Sequence, residues 1–164
     1  MKEIPLSDGS VALVDDDDYE WASQFSWSAN GNGYAVRGVH IGNRKYRKIY
    51  LHREIIGAKK GQKVDHINGN KLDNRKENLR LATPAQNAMN IGLRRNNTSG
   101  LKGVRFEERR NKWRAEIKVN YKNVFLGYFD NKFDAAKAYN DAAIKYHGEF
   151  ARLNYLNKGE VINE

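Results

Sequence analysis

The residues whose types and spacing best suit chemistry lie in one stretch near the middle of the chain. A carboxylate and an imidazole are adjacent at Asp65 and His66, and two amides follow twelve and twenty-one positions after the histidine, at Asn78 and Asn87. Aspartate offers the hard oxygen ligand that Mg²⁺ prefers, and a histidine with a pKa near neutrality suits a general base. These groups predict a site that holds a divalent metal and activates water against a phosphodiester.

The order of these residues indicates a separate role for each. Adjacent residues of a strand point to opposite faces, so Asp65 and His66 would straddle a bound phosphate, with Asp65 on the metal and His66 polarising water. Asn87 would supply a second metal ligand through its amide oxygen. Asn78 would pin the intervening loop through side-chain to backbone hydrogen bonds.

The charge of the chain indicates nucleic acid as the partner. The 164 residues carry a net charge of +9, with an isoelectric point near 9.7. Residues 1–30 have a net charge of −6, so residues 31–164 carry +15. A basic body of this size attracts polyphosphate, although charge alone is also compatible with a soluble basic protein that binds no nucleic acid specifically.

The absence of cysteine excludes disulfides, a thiolate zinc site and a thiol nucleophile, and it fits a reducing cytoplasm. No apolar run approaches the roughly 20 residues of a membrane span, and the first residues lack a signal-peptide core. We therefore expect a cytoplasmic protein that is not secreted and has no membrane partner.

Turn and periodicity signals predict an α+β fold. The first fifty residues have the pattern of short strands and turns. Two short strands are expected at residues 64–67 and 79–82, joined by a polar loop rich in asparagine. Thr83 and Pro84 are typical of a helix start, and we expect that helix to run to about Leu93. A basic, then polar, stretch ending in glycine at position 100 predicts a domain linker at residues 94–98.

The pattern restarts after this linker. Strands are predicted at residues 103–106, 113–119 and 124–129, and the second of them places Arg114, Glu116 and Lys118 on one face. Asp130 or Asn131 then caps a helix of about fifteen residues that ends at Gly148. Its alanines would let the helix lie close to the sheet, so we expect a three-stranded antiparallel sheet packed on one helix.

The central motif resembles the H-N-H homing endonucleases, in the subgroup with asparagine in place of the last histidine. This resemblance implies a finger of two strands and a helix that binds one divalent metal, Mg²⁺ with Mn²⁺ able to substitute, and cuts DNA through a histidine-activated water. It assigns metal binding to Asp65 and Asn87, the general base to His66 and a loop clamp to Asn78. The preceding His52-Arg53 also resembles the family, and we expect it to contact phosphate or to be structural. The resemblance is carried by Val64-Asp65-His66-Ile67-Asn68-Gly69-Asn70, Asn74, Asn78-Leu79-Arg80 and Asn87.

Residues 99–154 resemble the plant Apetala-type (ethylene-response-factor) DNA-binding domain. The matching segments include Gly100 to Arg105, Lys112 to Ile117, Leu126 to Phe129 and the closing Ala151-Arg152-Leu153-Asn154. Such domains place a three-stranded sheet in the major groove with the helix behind it. The resemblance implies DNA contacts at Lys102, Arg105, Arg114, Glu116 and Lys118, with Arg109 and Arg110 in the neighbouring turn.

Together these observations predict a nuclease region at 1–93 with its finger at 52–93, a linker at 94–98, a DNA-binding domain at 99–156 and a tail at 157–164. The expected activity is that of a homing-type endonuclease, encoded by a phage or an intron, which cuts double-stranded DNA as a monomer without a small-molecule cofactor. One alternative is a DNA-binding protein with a vestigial nuclease motif. The other is an RNA nuclease, which a major-groove reader disfavours because A-form RNA hides that groove.

Overall fold

The computed structural model describes residues 1–157 and 160–162 of the chain. Small antiparallel sheets and helices make the fold α+β, as the sequence predicted. The chain forms two compact units, Met1–Asn87 and Ala88–Glu164. The predicted domain limits stay predictions, and residues 158, 159, 163 and 164 of the predicted tail at 157–164 lie outside the described residues. No helix in the described part of the chain is long and apolar enough to cross a membrane.

The first unit is built from short antiparallel strand pairs. Its strands are β1 (Lys2–Pro5), β2 (Val11–Val14), β3 (Ser28–Ala29), β4 (Ala35–His40), β5 (Tyr46–Tyr50), β6 (Lys63–His66) and β7 (Leu79–Ala82), and its helices are α1 (Asp16–Ala22) and α2 (Leu51–Ile55). The strands form the sheets β1-β2, β3-β4-β5 and β6-β7. A short 3₁₀ turn at Lys76–Asn78 precedes β7, and α3 (Pro84–Met89) follows it.

The core of the first unit lies between the β1-β2 pair, α1 and the β3-β4-β5 sheet. Ala12 and Val14 alternate with more exposed neighbours along β2 and are fully buried, as the two-residue period of a strand requires. Trp27 is buried and donates its indole N–H to the carbonyl of Ala22 at 2.8 Å. Leu51, also fully buried, places the start of α2 on the same core.

The predicted helix start after β7 is confirmed by its hydrogen bonds. The backbone N–H of Thr83 donates to Oε1 of Gln86 at 2.8 Å, and the N–H of Gln86 donates to Oγ1 of Thr83 at 3.2 Å. This reciprocal pair satisfies two backbone donors that a helix start leaves without partners.

The predicted end of this helix near Leu93 is wrong, because α3 ends at Met89. The Lys102 ammonium donates to the carbonyl oxygens of Met89 and Ile91, at 2.5 and 2.6 Å. The lysine thereby occupies two carbonyls that would accept from backbone amides if the helix continued.

The second unit contains the predicted three-stranded antiparallel sheet and one long helix. Asn131 caps the helix, since its side chain accepts from the N–H groups of Phe133 and Asp134. The elements are β8 (Val104–Glu107), β9 (Lys112–Val119), β10 (Lys122–Phe129), α4 (Lys132–His147), β11 (Tyr155–Asn157) and β12 (Glu160–Ile162), with 3₁₀ turns at Glu108–Arg110 and Gly148–Phe150. In the sheet, β9 lies between β10 and β8.

Small residues bring α4 close to the sheet. Ala135 and Ala136 are fully buried and pack with Ala115, Leu101 and Val104. A buried polar clamp closes the unit, since Asn154 exchanges hydrogen bonds with the backbone N–H and carbonyl of Lys102 at 2.7 and 3.0 Å. These bonds join the segment before β8 to the segment after α4.

A bulge in β10 changes which side chains share the open face of the sheet. Phe125 lies opposite Glu116, whereas Gly127 lies opposite Ala115, so β10 has one extra residue between them. An extra residue reverses the alternation of faces along a strand. Phe125 and Tyr128, three positions apart, therefore lie on one face, with ring centroids 4.9 Å apart.

We predict that Gly103→Ala destabilises the second unit much more than Gly100→Ala does. Both glycines have φ of +73°, which costs alanine about 1 kcal/mol. At Gly103 a Cβ would also lie 2.0 Å from the buried Tyr139 ring and 2.6 Å from the carbonyl of Glu116, whereas at Gly100 it would meet no atom within 4 Å. Overpacking should bring the loss at Gly103 to about 3 kcal/mol. Urea unfolding followed by circular dichroism measures both losses, and equal losses would contradict the clash.

Candidate active site

Asp65 and His66 end strand β6 and are both about 95% buried, each with 5% of its surface exposed. In the β6-β7 pair Asp65 lies opposite Arg80, and His66 lies opposite Leu79. The Asp65 carboxylate accepts from Arg80 at 2.8 Å from Nε and 2.7 Å from the terminal nitrogen. The pleat sends the two adjacent side chains to different surroundings, and the ion pair fixes the direction of Asp65.

His66 lies among aromatic rings. The ring centroid of His52 is 5.1 Å away and that of Tyr34 is 5.8 Å away. Burial lowers the pKa of His66, although a hydrogen bond with Asn74 and the charge of Asp65 act in the opposite direction. A neutral imidazole at physiological pH is the form that accepts a proton.

The loop after β6 is held by its own side chains. Oδ1 of Asn78 accepts from the backbone N–H of Asn68 at 2.9 Å, and Nδ2 of Asn78 donates to the carbonyl of Asp73 at 2.8 Å. Nδ2 of Asn68 donates to the Asp73 carboxylate, which also accepts two bonds from Arg75 at 2.8 Å. These bonds place Asn78 where the sequence predicted a loop clamp, across both arms of the loop.

The N-terminal strand pair supports the same loop from the other side. The N–H of Leu13 donates to the carbonyl of Leu72 at 2.7 Å, and the N–H of Asn74 donates to the carbonyl of Leu13 at 2.8 Å. The Asp15 carboxylate accepts from the backbone N–H of Lys76. The acidic N-terminal segment therefore braces the loop that follows the Asp-His pair.

Asn87 lies in α3, in the same unit as Asp65, and its side chain is half-buried. No group of three or more histidine, aspartate or glutamate side chains in the described ranges is placed to hold a metal ion. The predicted metal donors, the Asp65 carboxylate and the Asn87 amide oxygen, are hard oxygen ligands. Mg²⁺ sites often use one or two carboxylates and fill the remaining positions with water and substrate phosphates, so this donor set fits the cation.

The predicted phosphate contacts His52 and Arg53 are both engaged within the protein. His52 has 6% of its surface exposed, and burial, followed by the nearby His66, lowers its pKa to about 3. The Arg53 guanidinium donates to three backbone carbonyls, those of Ala58, Lys59 and Gln62. These bonds fasten the turn between α2 and β6, and the phosphate contacts stay predictions.

Most of the predicted DNA contacts in the second unit share the open face of its sheet. The Arg114 guanidinium bonds Glu116 at 3.0–3.1 Å and lies 5.2 Å from the centre of the Phe125 ring. The Arg110 guanidinium lies 4.9 Å from the centre of the Tyr128 ring. The strand residues of this set are Arg105 on β8 and Arg114, Glu116 and Lys118 on β9, while Arg109 and Arg110 lie in the turn between these strands.

Lys102 differs from the other predicted DNA contacts. Its ammonium is held by the carbonyl of Met89, the last residue of α3, and by that of Ile91, and burial lowers its pKa to about 8. Its role in the structure is to satisfy those carbonyls, and its DNA contact stays a prediction.

Sequence reasoning gave no role to three residues that surround the Asp-His pair, although Asn74 and Arg80 stood in its motif. Asn74 is fully buried, Arg80 pairs with Asp65, and Tyr34 lies beside His66 although it comes from the turn before β4. Opposite charges at paired positions of β6 and β7 were a usable signal for Arg80. No local signal identifies Tyr34, because only the tertiary fold brings its ring to His66.

Comparison of the sequence with known proteins identifies the family of the chain. The family model of the HNH endonucleases matches residues 50–89. A protein of Acanthamoeba polyphaga mimivirus, named as an uncharacterized HNH endonuclease, is 32% identical over 151 residues, which cover 91% of this chain and 77% of that protein. Protein 3.8 of Escherichia phage T7 is 38% identical over 94 residues, covering 57% of this chain and 77% of the phage protein. An AP2-like ethylene-responsive transcription factor of Arabidopsis thaliana is 39% identical over 62 residues, 38% of this chain and 13% of the plant protein.

The match to the mimivirus protein extends over most of both chains. The class defined by the motif and these similarities is that of DNA nucleases that hydrolyse phosphodiester bonds. The chain belongs to the HNH endonuclease family.

We predict that Asn78→Ala lowers the free energy of unfolding by about 2 kcal/mol or more, because it leaves the Asp73 carbonyl and the Asn68 N–H without their partner. Glu77→Ala is the control, since the Glu77 side chain is 70% exposed and its loss should cost less than about 0.5 kcal/mol. Urea unfolding measures both variants. If the two variants were equally stable, Asn78 would not be clamping the loop.

Proposed function

We propose that this nuclease is a metal-dependent, homing-type endonuclease of the H-N-N subgroup that cuts double-stranded DNA at a preferred site. The observation that carries the proposal is the arrangement around β6: a buried Asp65-His66 pair, a loop clamped by Asn78, and Asn87 on the following helix. Each position of the predicted motif thereby falls in one strand, loop, strand and helix unit.

His66 acts as the general base. Burial keeps its pKa below the ordinary value, so the imidazole is neutral and ready to take a proton from water. The resulting hydroxide oxygen attacks phosphorus, the bond from phosphorus to the 3′ oxygen breaks, and that oxygen leaves and takes up a proton. The products are a 5′-phosphate and a 3′-hydroxyl.

Asp65 and Asn87 hold the divalent cation. When bound, the cation supplies Lewis-acid stabilisation of the phosphate and of the leaving oxygen. The Arg80 guanidinium directs the Asp65 carboxylate, and Asn78 maintains the shape of the loop between the two strands. We propose Mg²⁺ as the ion, because both donors are oxygens, with Mn²⁺ able to replace it.

The second unit is proposed to be an Apetala-type domain that reads the DNA site. Partial similarity to the plant protein supports this proposal, together with an open sheet face that carries arginines and two aromatic rings. Arginine pairs with guanine edges in the major groove, whereas lysine mostly meets phosphate. A tethered reader lengthens the recognised site and raises the effective concentration of the nuclease on DNA.

The first unit supplies a further basic surface for the DNA backbone. No aspartate or glutamate occurs between Glu20 and Glu54. The hairpin of β4 and β5 lies in this interval, and its residues from 41 to 48 are exposed. Its exposed cations are Arg44, Lys45, Arg47 and Lys48. Such a cluster favours phosphate binding that weakens with salt.

We predict that His66→Ala lowers the cleavage rate by about 10²- to 10⁴-fold, the usual contribution of a general base, while DNA affinity changes little. The measurement is conversion of supercoiled plasmid with diverse inserts to nicked or linear DNA, in Mg²⁺ or Mn²⁺ against EDTA. Gln24→Ala is the control, since Gln24 is an exposed residue of the same unit that lies outside the hairpin of β4 and β5. Normal cutting by the His66 variant would overturn the mechanism, and retained binding without cutting by the wild type would indicate a vestigial nuclease.

We predict that Arg114→Gln weakens binding to a DNA fragment that carries a cleavage site by about 1–3 kcal/mol. The substitution removes a charge from the centre of the open face of the sheet. Lys137→Ala is the control, since Lys137 is exposed on α4, whose alanine face packs on the other side of the sheet. Gel shifts in EDTA over a range of salt concentrations give the affinities.

The same assay on Arg47→Ala and Lys48→Ala tests the hairpin of β4 and β5. Unchanged affinity in all of these variants would remove both the hairpin and the open face of the sheet from the proposal.

A further inference from the structure

Nε2 of His66 faces the side-chain amide of Asn74, and a second hydrogen bond of that amide shows which of its ends is the oxygen. Oδ1 of Asn74 lies 3.5 Å from His66 Nε2, and Nδ2 of the same amide donates to the carbonyl of Leu72 at 3.0 Å. A carbonyl oxygen only accepts, so the nitrogen end of the amide must point at Leu72. The end that faces His66 is therefore an acceptor, and an acceptor requires an N–H on Nε2.

The Asn74 amide is not free to turn around. Asn74 has no exposed surface, and its backbone N–H is bonded to the carbonyl of Leu13 at 2.8 Å. Reversing the amide would set Nδ2 against His66 and oxygen against the Leu72 carbonyl, leaving two oxygens in contact without a proton. A buried polar group without a partner costs about 1–3 kcal/mol, which disfavours the reversed state.

Rings on two sides also restrict the imidazole. The His52 ring meets the His66 ring edge to face at 76°, and the Tyr34 ring is tilted by 44° to it. A large rotation of the His66 ring would displace one of these packed neighbours. Packing thus holds the plane of the ring, and Asn74 selects the nitrogen that bears the proton.

We infer that Asn74 is a positioning residue for catalysis, which holds His66 in the tautomer protonated on Nε2 so that Nδ1 is the nitrogen that takes the proton from water. This inference rests on the proposed role of His66 as the general base. The hydrogen bonds that the two ring nitrogens of a histidine make decide which nitrogen carries the proton. Partners that orient a functional histidine in this way commonly have a strong effect on activity. Asn74 would act through His66 without touching the substrate.

The first experiment reads the tautomer in the wild-type protein by long-range ¹H–¹⁵N correlation of the histidine rings near neutral pH. His147 provides an internal reference, because its Nε2 lies 2.9 Å from the carbonyl of Lys118 and must carry the proton. The His66→Gln variant identifies the His66 signals by their loss. We expect His66 to show the same pattern as His147. A His66 ring protonated on Nδ1, or averaged between the two tautomers, would overturn the inference.

The second experiment separates positioning from general stability. Asn74→Leu has nearly the same shape without the amide, and we expect kcat for plasmid cleavage to fall by about 10- to 100-fold with KM for DNA nearly unchanged. Asn32→Ala is the matched control, since Asn32 is an exposed asparagine of the same unit that lies outside the loop between β6 and β7. An unchanged kcat in the Asn74 variant would refute positioning.

The two readouts also distinguish this inference from the proposed function. The tautomer is measured without DNA, metal or turnover, so it decides the Asn74 contact even if the Asn74 variant does not fold. An Nε2-protonated His66 in a protein that never cleaves DNA would remove the proposed nuclease mechanism and leave the Asn74 contact in place. An Nδ1-protonated His66 in an active nuclease would remove only the inference.

Discussion

Side chains of the loop between β6 and β7 satisfy many of the polar groups of its backbone. Asn78 bonds the backbone at both Asn68 and Asp73, and Asn70 caps the turn at Leu72. Amides are suited to this task because each offers both a donor and an acceptor on a short stem. The position of His66 depends on this loop, since Nε2 of its ring faces Oδ1 of Asn74 within it.

The loop is in turn supported by a segment far away in the sequence. Leu13 in β2 exchanges backbone bonds with both Leu72 and Asn74, as a strand would with a partner. Lys76 adds an ion pair with Asp18 at 2.9 Å, and the Asp18 side chain is 10% exposed. The acidic N-terminal residues therefore have a structural function within a basic nuclease. They neutralise and brace one side of the motif, and the basic hairpin of β4 and β5 remains exposed to solvent.

The second unit meets a different constraint, because a three-stranded sheet and one helix bury little apolar surface. Alanines on α4 allow close approach, and the contact is so tight that Gly103 leaves no room for a methyl group beside Tyr139. Asn154 and Asn140 exchange a reciprocal pair of hydrogen bonds at 2.6 and 2.7 Å, which closes the unit without further apolar residues. The open face of the sheet is thereby left to arginines and aromatic rings, and the bulge in β10 brings Phe125 and Tyr128 together there.

Local sequence patterns determined the fold class and the positions of several strands and helix starts. The α+β class, the strands around Asp65 and Leu81, the helix start at Thr83 and the cap at Asn131 follow from periodicity, turn residues and capping chemistry, which act within a few residues. The motif that contains Asp65, His66, Asn78 and Asn87 also carried the resemblance to the nuclease family. Only the tertiary structure decided that α3 stops at Met89, that Arg80 holds Asp65, and that Tyr34, His52 and Asn74 enclose His66. These are contacts between segments distant in sequence, and they form because burial leaves each polar group dependent on the partner that the fold brings to it.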